Sequence, residues 1–146
     1  MIKSAMLYRY PFFGGLNNEQ IRIVYALMQE KSYQRGDIIL NEGEPSDSLY
    51  FIYEGTVVVR KKNINLSTFG EGEIFGEVEI LDPMPSAATV NAQTDTKLLL
   101  LSHSAIYELY KRDIKVFALI IMNLARDVCR RLRRMNEVVL QTTNTE

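Results

Sequence analysis

The sequence predicts a mainly β domain with flanking helices, and three observations carry that prediction. Between Ile38 and Ser102, short β-rich runs alternate with Gly, Pro, Asn and Asp at even spacing. One segment with helical periodicity precedes them. After them the apolar pattern turns helical again. Strands this short and this regular suit a small barrel, a jelly roll or a sandwich. A chain of 146 residues suits one domain with a real core.

The first element is "GLNNEQIRIVYALMQEK", read as a helix. Asn17 caps it, with Gln20 reaching back three residues later, and Ile21, Val24, Tyr25 and Met28 recur at helical spacing. Gly36-Asp37 punctuates the chain and closes an N-terminal helical part, 1–36. The β region, 37–102, holds the runs "IIL", "LYFIY", "TVVVRK", "LSTF", "IFG", "ATVNA" and "TKLLLLS". "KKNIN" marks a charged hairpin tip. The C-terminal helices, 103–140, comprise a short one, "HSAIYELYK", and a long one capped by Asp113 and running to about Leu140. The polar tail "QTTNTE" is expected to fray.

In the long helix Ile114, Ala118, Ile121, Ala125, Val128, Leu132, Met135 and Val139 alternate at spacings of four and three, a coiled-coil seam. Phe117, Ile120 and Leu124 widen the apolar face of its first half. The first half is therefore expected to pack on its own barrel. The second half offers a narrow stripe to a partner, and Ile121, Ala125, Val128, Leu132, Met135 and Val139 are the expected homodimer contacts.

Composition narrows the function. A net charge of −1 gives no overall bias towards nucleic acid or anionic membrane. One cysteine, Cys129, and one histidine, His103, leave no internal disulfide and too few ligands for a zinc site or an iron–sulfur cluster. The start "MIKSAMLYRYPFF" has no long apolar h-region, and "VFALIIMNLA" is too short to span a bilayer. The expected location is cytoplasmic, with no membrane contact. Without a nucleophile–base motif, a metal constellation or a Walker loop, the sequence is not expected to encode an enzyme.

"GDIILNEGEPSDSLYFIYEGTVVV", "GEIFGEVEIL" and "PSAATV" together resemble the cyclic-nucleotide-binding domain family. That family includes the sensory half of catabolite-activator-type regulators and the regulatory subunits of cyclic-AMP-dependent kinase. The glycine spacing at Gly36, Gly43, Gly55 and Gly76 agrees, and the likeness runs from about Phe12 to Leu140. The resemblance implies an eight-stranded jelly-roll barrel, a short N-terminal helix, a phosphate-binding cassette at 75–90 and a long C-terminal dimerisation helix.

The same resemblance implies the site. Glu77 matches the glutamate that accepts a hydrogen bond from the ribose 2′-hydroxyl. Gly76 lets the backbone approach, and the amides near Glu77 and Val78 point at a phosphate. The family usually places an arginine where ungapped counting from Gly76 puts Ser86, beside Ala87. A serine has neither charge nor fork, and losing an arginine–phosphate contact costs about 2–5 kcal/mol. Glu77, Glu79 and Asp82 crowd carboxylates into a segment without a cation. Arg126, Arg130, Arg131, Arg133 and Arg134 gather on the long helix against Asp127. Heptad counting puts Arg131 at g, facing Asn136 at e of a second chain. Both fall near where the family caps a bound base, and Asn136 suits an adenine edge.

The function expected is a stand-alone regulatory or sensor module, dimeric, with weak or altered ligand binding. Cyclic AMP or cyclic GMP would bind weakly. The alternative is a ligand-free dimeric protein-interaction module that keeps only the fold. The downstream effector protein is unknown, and no direct DNA binding is expected, since nothing after the long helix resembles a helix-turn-helix.

Overall fold

The computed structural model describes residues 2–82 and 84–144, apart from the side chains of Val78 and Glu79. Two short 3-10 helices, Ser4–Arg9 and Pro11–Phe13, lead into α1, Asn18–Ala26. Asn17 Oδ1 accepts from the Gln20 amide at 2.9 Å, and Gln20 Oε1 accepts from the Asn17 amide at 2.9 Å, closing the expected capping box. The helix stops earlier than periodicity suggested. Gln29–Tyr33 instead forms β1, paired antiparallel with the eighth strand. Sheet pairing takes the Gln29–Lys31 end of the sequence-predicted helix, because β1 finds a row of backbone partners from Leu100 to Thr96. The N-terminal part is thus helix plus strand.

The remaining strands are β2, Ile38–Leu40; β3, Ser48–Glu54; β4, Val57–Lys61; β5, Ile64–Phe69; β6, Ile74–Phe75; β7, Thr89–Ala92; and β8, Thr96–Ser102. They do not close into one barrel. They form two four-stranded antiparallel sheets, β1-β8-β3-β6 and β2-β7-β4-β5. Lys62 and Asn63 adopt positive φ at the tip between β4 and β5, where the charged hairpin was expected.

The burial pattern explains the continuous apolar run at 98–101. Leu99 and Leu101 of β8, with Leu49 and Phe51 of β3, face a core shared with the helices. Their neighbours Leu98, Leu100, Tyr50 and Ile52 face the second sheet. The first sheet is a middle layer, and a middle strand is apolar on both faces. Phe51 anchors the helical side, with Tyr10, Phe12 and Phe13 ringed around it at centroid distances of 5.3, 6.0 and 5.2 Å.

Two helices complete the chain. Ser102 caps α3, His103–Arg112, through its hydroxyl on the Ala105 amide. His103 is an exposed first-turn residue. Asp113 Oδ1 accepts from the Val116 amide at 3.2 Å and starts α4, Ile114–Asn144. This helix runs past Leu140 through most of the polar tail. The Thr142 and Thr143 hydroxyls donate to the carbonyls of Val138 and Val139, which turns those polar groups into part of the helix surface. Residues 145 and 146 lie outside the described residues.

The two halves of α4 differ as expected. Val116, Ile120, Asn123 and Leu124 are buried against the domain. From 132 to 144 every residue is exposed, including Leu132 at 57%, Met135 at 64% and Val139 at 62%. Ile121 and Val128 are half-buried and Ala125 is exposed.

Asn123 fastens α4 to the N-terminal segment. Its Nδ2 donates to Phe12 O and Gly14 O, both at 2.9 Å. Asn123→Ala strands carbonyls in the packed interior and is expected to cost about 2–4 kcal/mol in urea unfolding. A loss below about 0.5 kcal/mol, the usual scatter for surface changes, would show that the contact is dispensable.

Candidate functional site

A cleft of about 590 Å³ lies between the second sheet, the turn from β6 into a short helix, and α4. The short helix is α2, Glu77–Leu81. Leu40, Val59, Leu66, Phe69, Phe75, Val90 and Met135 form apolar walls, and Gly76, Glu77, Ser86, Ala87 and Arg131 contribute the polar end.

Gly76 makes the turn possible. Its φ is +79°, and a Cβ there would lie 3.0 Å from Ser48 O and 3.1 Å from Tyr50 Cδ2. No other residue fits without moving β3. Tyr50 in turn stacks flat on Phe75, with centroids 4.8 Å apart. Burial is the main cause that pushes the Tyr50 phenol up to about 12, so it stays neutral under physiological conditions. The turn sets Glu77 at the first position of α2, where its side chain is only 5% exposed. Val78 follows in the same turn of helix, and its side chain, like that of Glu79, lies outside the described residues.

The residue that answers Glu77 is Arg131, from the same chain. Its Nη1 donates to Glu77 Oε1 and its Nη2 donates to Ile74 O. Its Nε sits 3.1 Å from Asp127 Oδ2, one helical turn back. The guanidinium carbon lies 4.5 Å from the centroid of Phe69. Two guanidinium nitrogens donate hydrogen bonds, the third lies within ion-pair range of Asp127, and one face of the group is covered by a ring.

The heptad reading of Arg131 is therefore corrected. Counting put it on a solvated flank facing Asn136 of another chain, but its side chain is only 20% exposed and turned into its own domain. The reason is geometric. Ile120, Leu124, Asp127, Arg131 and Met135 follow one another at spacings of three and four, so the face of α4 that packs on the domain continues past Leu124, its last buried apolar residue. Met135 reaches the cleft, whereas Asn136 is exposed and is not among the described lining residues. Arg130 and Arg134 line a separate groove beside Tyr10 and Glu71.

Ser86 is also enclosed. It is 4% exposed. Its amide donates to Glu44 O at 2.9 Å, its carbonyl accepts from the Gly43 amide at 2.8 Å, and its hydroxyl donates to Ala88 O at 2.7 Å. The hydroxyl proton is thus committed to the backbone, and the oxygen keeps only acceptor capacity for a ligand. Among the described residues no group of three or more His, Cys, Asp or Glu is placed to hold a metal ion, and no helix is long and apolar enough to cross a membrane. Cys129 is exposed as a free thiol.

The profile of the cyclic nucleotide-binding domain matches residues 30–113. The chain belongs to that family. It is 32% identical over 128 residues to the cyclic AMP receptor protein of Thermus thermophilus, covering 84% of this chain and 57% of that one. It is 34% identical over 93 residues to the type II regulatory subunit of cAMP-dependent protein kinase from Drosophila melanogaster, covering 64% of this chain and 23% of that one. The chain thus spans well under two thirds of these curated relatives. A solved cyclic nucleotide-binding domain from Methylobacillus flagellatus superposes with a TM-score of 0.84 at 28% identity, over 93% of this chain and 79% of that one. The catabolite activator protein of Thermus thermophilus superposes at 0.78 with 31% identity, over 90% and 63% respectively.

Within this cyclic-nucleotide-binding domain, sequence reasoning located Gly76, Glu77, Ser86 and Ala87 at one cleft. It missed Phe69 and Ile74, which hold Arg131 together with Asp127. The legible signal was the continued spacing from Leu124 to Met135.

The buried pair predicts non-additive energetics. Arg131→Met leaves Glu77 buried without its guanidinium and is expected to cost about 3–5 kcal/mol in chemical denaturation. Adding Glu77→Gln to Arg131→Met should return part of that loss, because the double variant buries no uncompensated charge. Additive single losses would mean that the two side chains do not interact.

Proposed function

We propose that this chain is a regulatory sensor module, dimeric through α4, in which cyclic AMP and cyclic GMP bind weakly and the ligand response differs from that of ordinary relatives. The observation that carries the reading is Ser86. The cassette is kept around it, yet the position that would supply a cation supplies a hydroxyl already bonded to Ala88 O. Glu77 adds to this, since the oxygen that would accept from a ribose hydroxyl is paired with Arg131. A cyclic nucleotide would have to displace a guanidinium and gain no guanidinium contact in return.

The dimer is supported by the bare apolar stripe on the second half of α4. Leu132, Met135, Val138 and Val139 are each exposed by more than half. Such a stripe is stable when it meets a copy of itself at coiled-coil spacing. The signal would leave through this helix to an effector protein in the cytoplasm. Neither DNA nor membrane contact is assigned to these residues.

A second reading is a dimeric interaction module that keeps the fold without a ligand. The Arg131–Glu77 pair favours it, because the polar end of the cleft is already satisfied from within. Denaturing the purified protein and identifying released small molecules by mass spectrometry separates the two.

Two outcomes follow. Light scattering should give a dimer at micromolar concentration, and Leu132→Asp, which buries a charge in the seam, should give a monomer. A monomer for the unmodified protein contradicts the α4 interface. By calorimetry, cyclic AMP and cyclic GMP should bind poorly to the unmodified protein. Ser86→Arg should strengthen cyclic AMP binding by about 1–3 kcal/mol, short of a native contact because the neighbours do not orient the new side chain. Submicromolar affinity without the substitution, or no gain with it, rules out Ser86 as the missing element.

A further inference from the structure

We infer that the outer flank of α4 is a docking surface for an acidic amphipathic helix of the effector protein, held by Arg126, Arg130 and Arg133. The inference rests on the reading in which the signal leaves through α4, and it names the chemistry of what receives it. The helix has three faces. Ile120, Leu124 and Arg131 lie on the domain side, and Ala125, Val128 and Leu132 mark the seam for a second copy. At about 100° per residue, Arg126, Arg130 and Arg133 fall on the third face. Heptad counting puts Arg126 and Arg133 at b and Arg130 at f, positions that a coiled-coil partner leaves in solvent. All three are exposed, and pairing through the seam leaves them open.

These arginines rim a groove of about 390 Å³ floored by Met122, Ala125 and Cys129, and none of its described lining residues is acidic. Arg126 Nη1 donates to Asn123 Oδ1 at 3.4 Å. Arg130 Nη2 lies 3.7 Å from Asp127 Oδ1, on a carboxylate that Arg131 shares. Arg133 has no ion pair among the described residues. Glu137, one turn on, bounds the patch.

Charge elsewhere narrows the partner. Residues 126–134 hold five of the chain's 17 Lys and Arg but one of its 18 Asp and Glu, so the rest of the chain has more acid than base. Duplex DNA or a broad anionic membrane would meet that excess around the patch, whereas one short acidic helix meets only the patch. The three arginines are spaced four and three residues apart, over roughly 10 Å of helix. Carboxylates at the same spacing on one face of a partner helix reach all of them, and each guanidinium fork matches a carboxylate. Apolar residues beside those carboxylates would cover Met122, which is 50% exposed.

The test titrates a fluorescein-labelled helical peptide of Leu and Glu, with its carboxylates at spacings of three and four, into the intact chain and reads anisotropy. Its Gln counterpart, a duplex DNA oligonucleotide and phosphatidylserine vesicles are run beside it. The Glu peptide should bind and weaken with salt, and the Gln peptide should not bind. Arg126→Gln combined with Arg133→Gln should weaken the Glu peptide about fivefold or more. Lys61→Gln combined with Lys62→Gln removes the same charge from the exposed hairpin tip and should leave binding within about twofold. Light scattering on the same samples should show a dimer for the unmodified protein and for both variants. The proposed surface or partner class is wrong, while the dimer stands, if the Glu peptide fails to bind or depends on the hairpin lysines as much as on the arginines. The same holds if DNA or vesicles depend on Arg126 and Arg133 more strongly than the peptide does. A monomer for the arginine variant alone contradicts the assignment of faces. If the unmodified protein is a monomer, the α4 reading falls and the inference falls with it.

Discussion

A guanidinium taken out of water has to find its countercharges where it lies, and in this domain Arg131 finds them in Glu77 and Asp127. That one requirement joins three parts of the molecule. Glu77 can stand there only because Gly76 turns the chain at a positive φ between β6 and α2. Ile74, just before the turn, accepts the second nitrogen through its carbonyl. Phe69, at the end of β5, covers the group. The pair therefore fixes α4 against the second sheet and the cassette together, at the point where the helix leaves the domain and becomes fully exposed.

The chemistry of the cleft follows from the same arrangement. In a site built for a cyclic phosphate, one carboxylate meets the sugar and one cation meets the phosphate. Here the carboxylate and the cation meet each other. Ser86 turns its proton inward to the backbone, and its amide and carbonyl hold the turn at Gly43 and Glu44. The position has become part of the framework of the loop. Around that polar end the described walls of the cleft, from Leu40 and Val59 to Phe75 and Val90, are apolar.

Much of the fold was legible because its signals are local. The Asn17–Gln20 capping box, the Asp113 cap and the β runs each rest on a few neighbouring residues. The strand at Gln29–Tyr33 was not legible, since all its side chains but the half-buried Tyr33 are polar and exposed and its pairing with β8 makes it a strand. The two-sheet arrangement was likewise beyond a list of runs, although the unbroken apolar stretch Leu98–Leu101 already implied burial on both faces. At the site, the glycine and glutamate were readable from their spacing. Heptad counting left out the partners that Arg131 has within its own domain, because it assumes that a helix faces another helix. On the domain side of α4 the neighbour is a turn, and the polar residues Asp127 and Arg131 continue the packed face there.

The central claim is that Arg131 is held at the polar end of the cleft and is not given up to a cyclic nucleotide. Side-chain nitrogen NMR of the intact protein addresses it directly. A guanidinium locked against Glu77, Ile74 and Phe69 should give a dispersed, slowly exchanging Arg131 signal. That signal should vanish in Glu77→Gln and stay unchanged when cyclic AMP is added in excess. An Arg131 signal averaged like those of the exposed arginines, or one that shifts with saturation on adding cyclic AMP, would contradict the account.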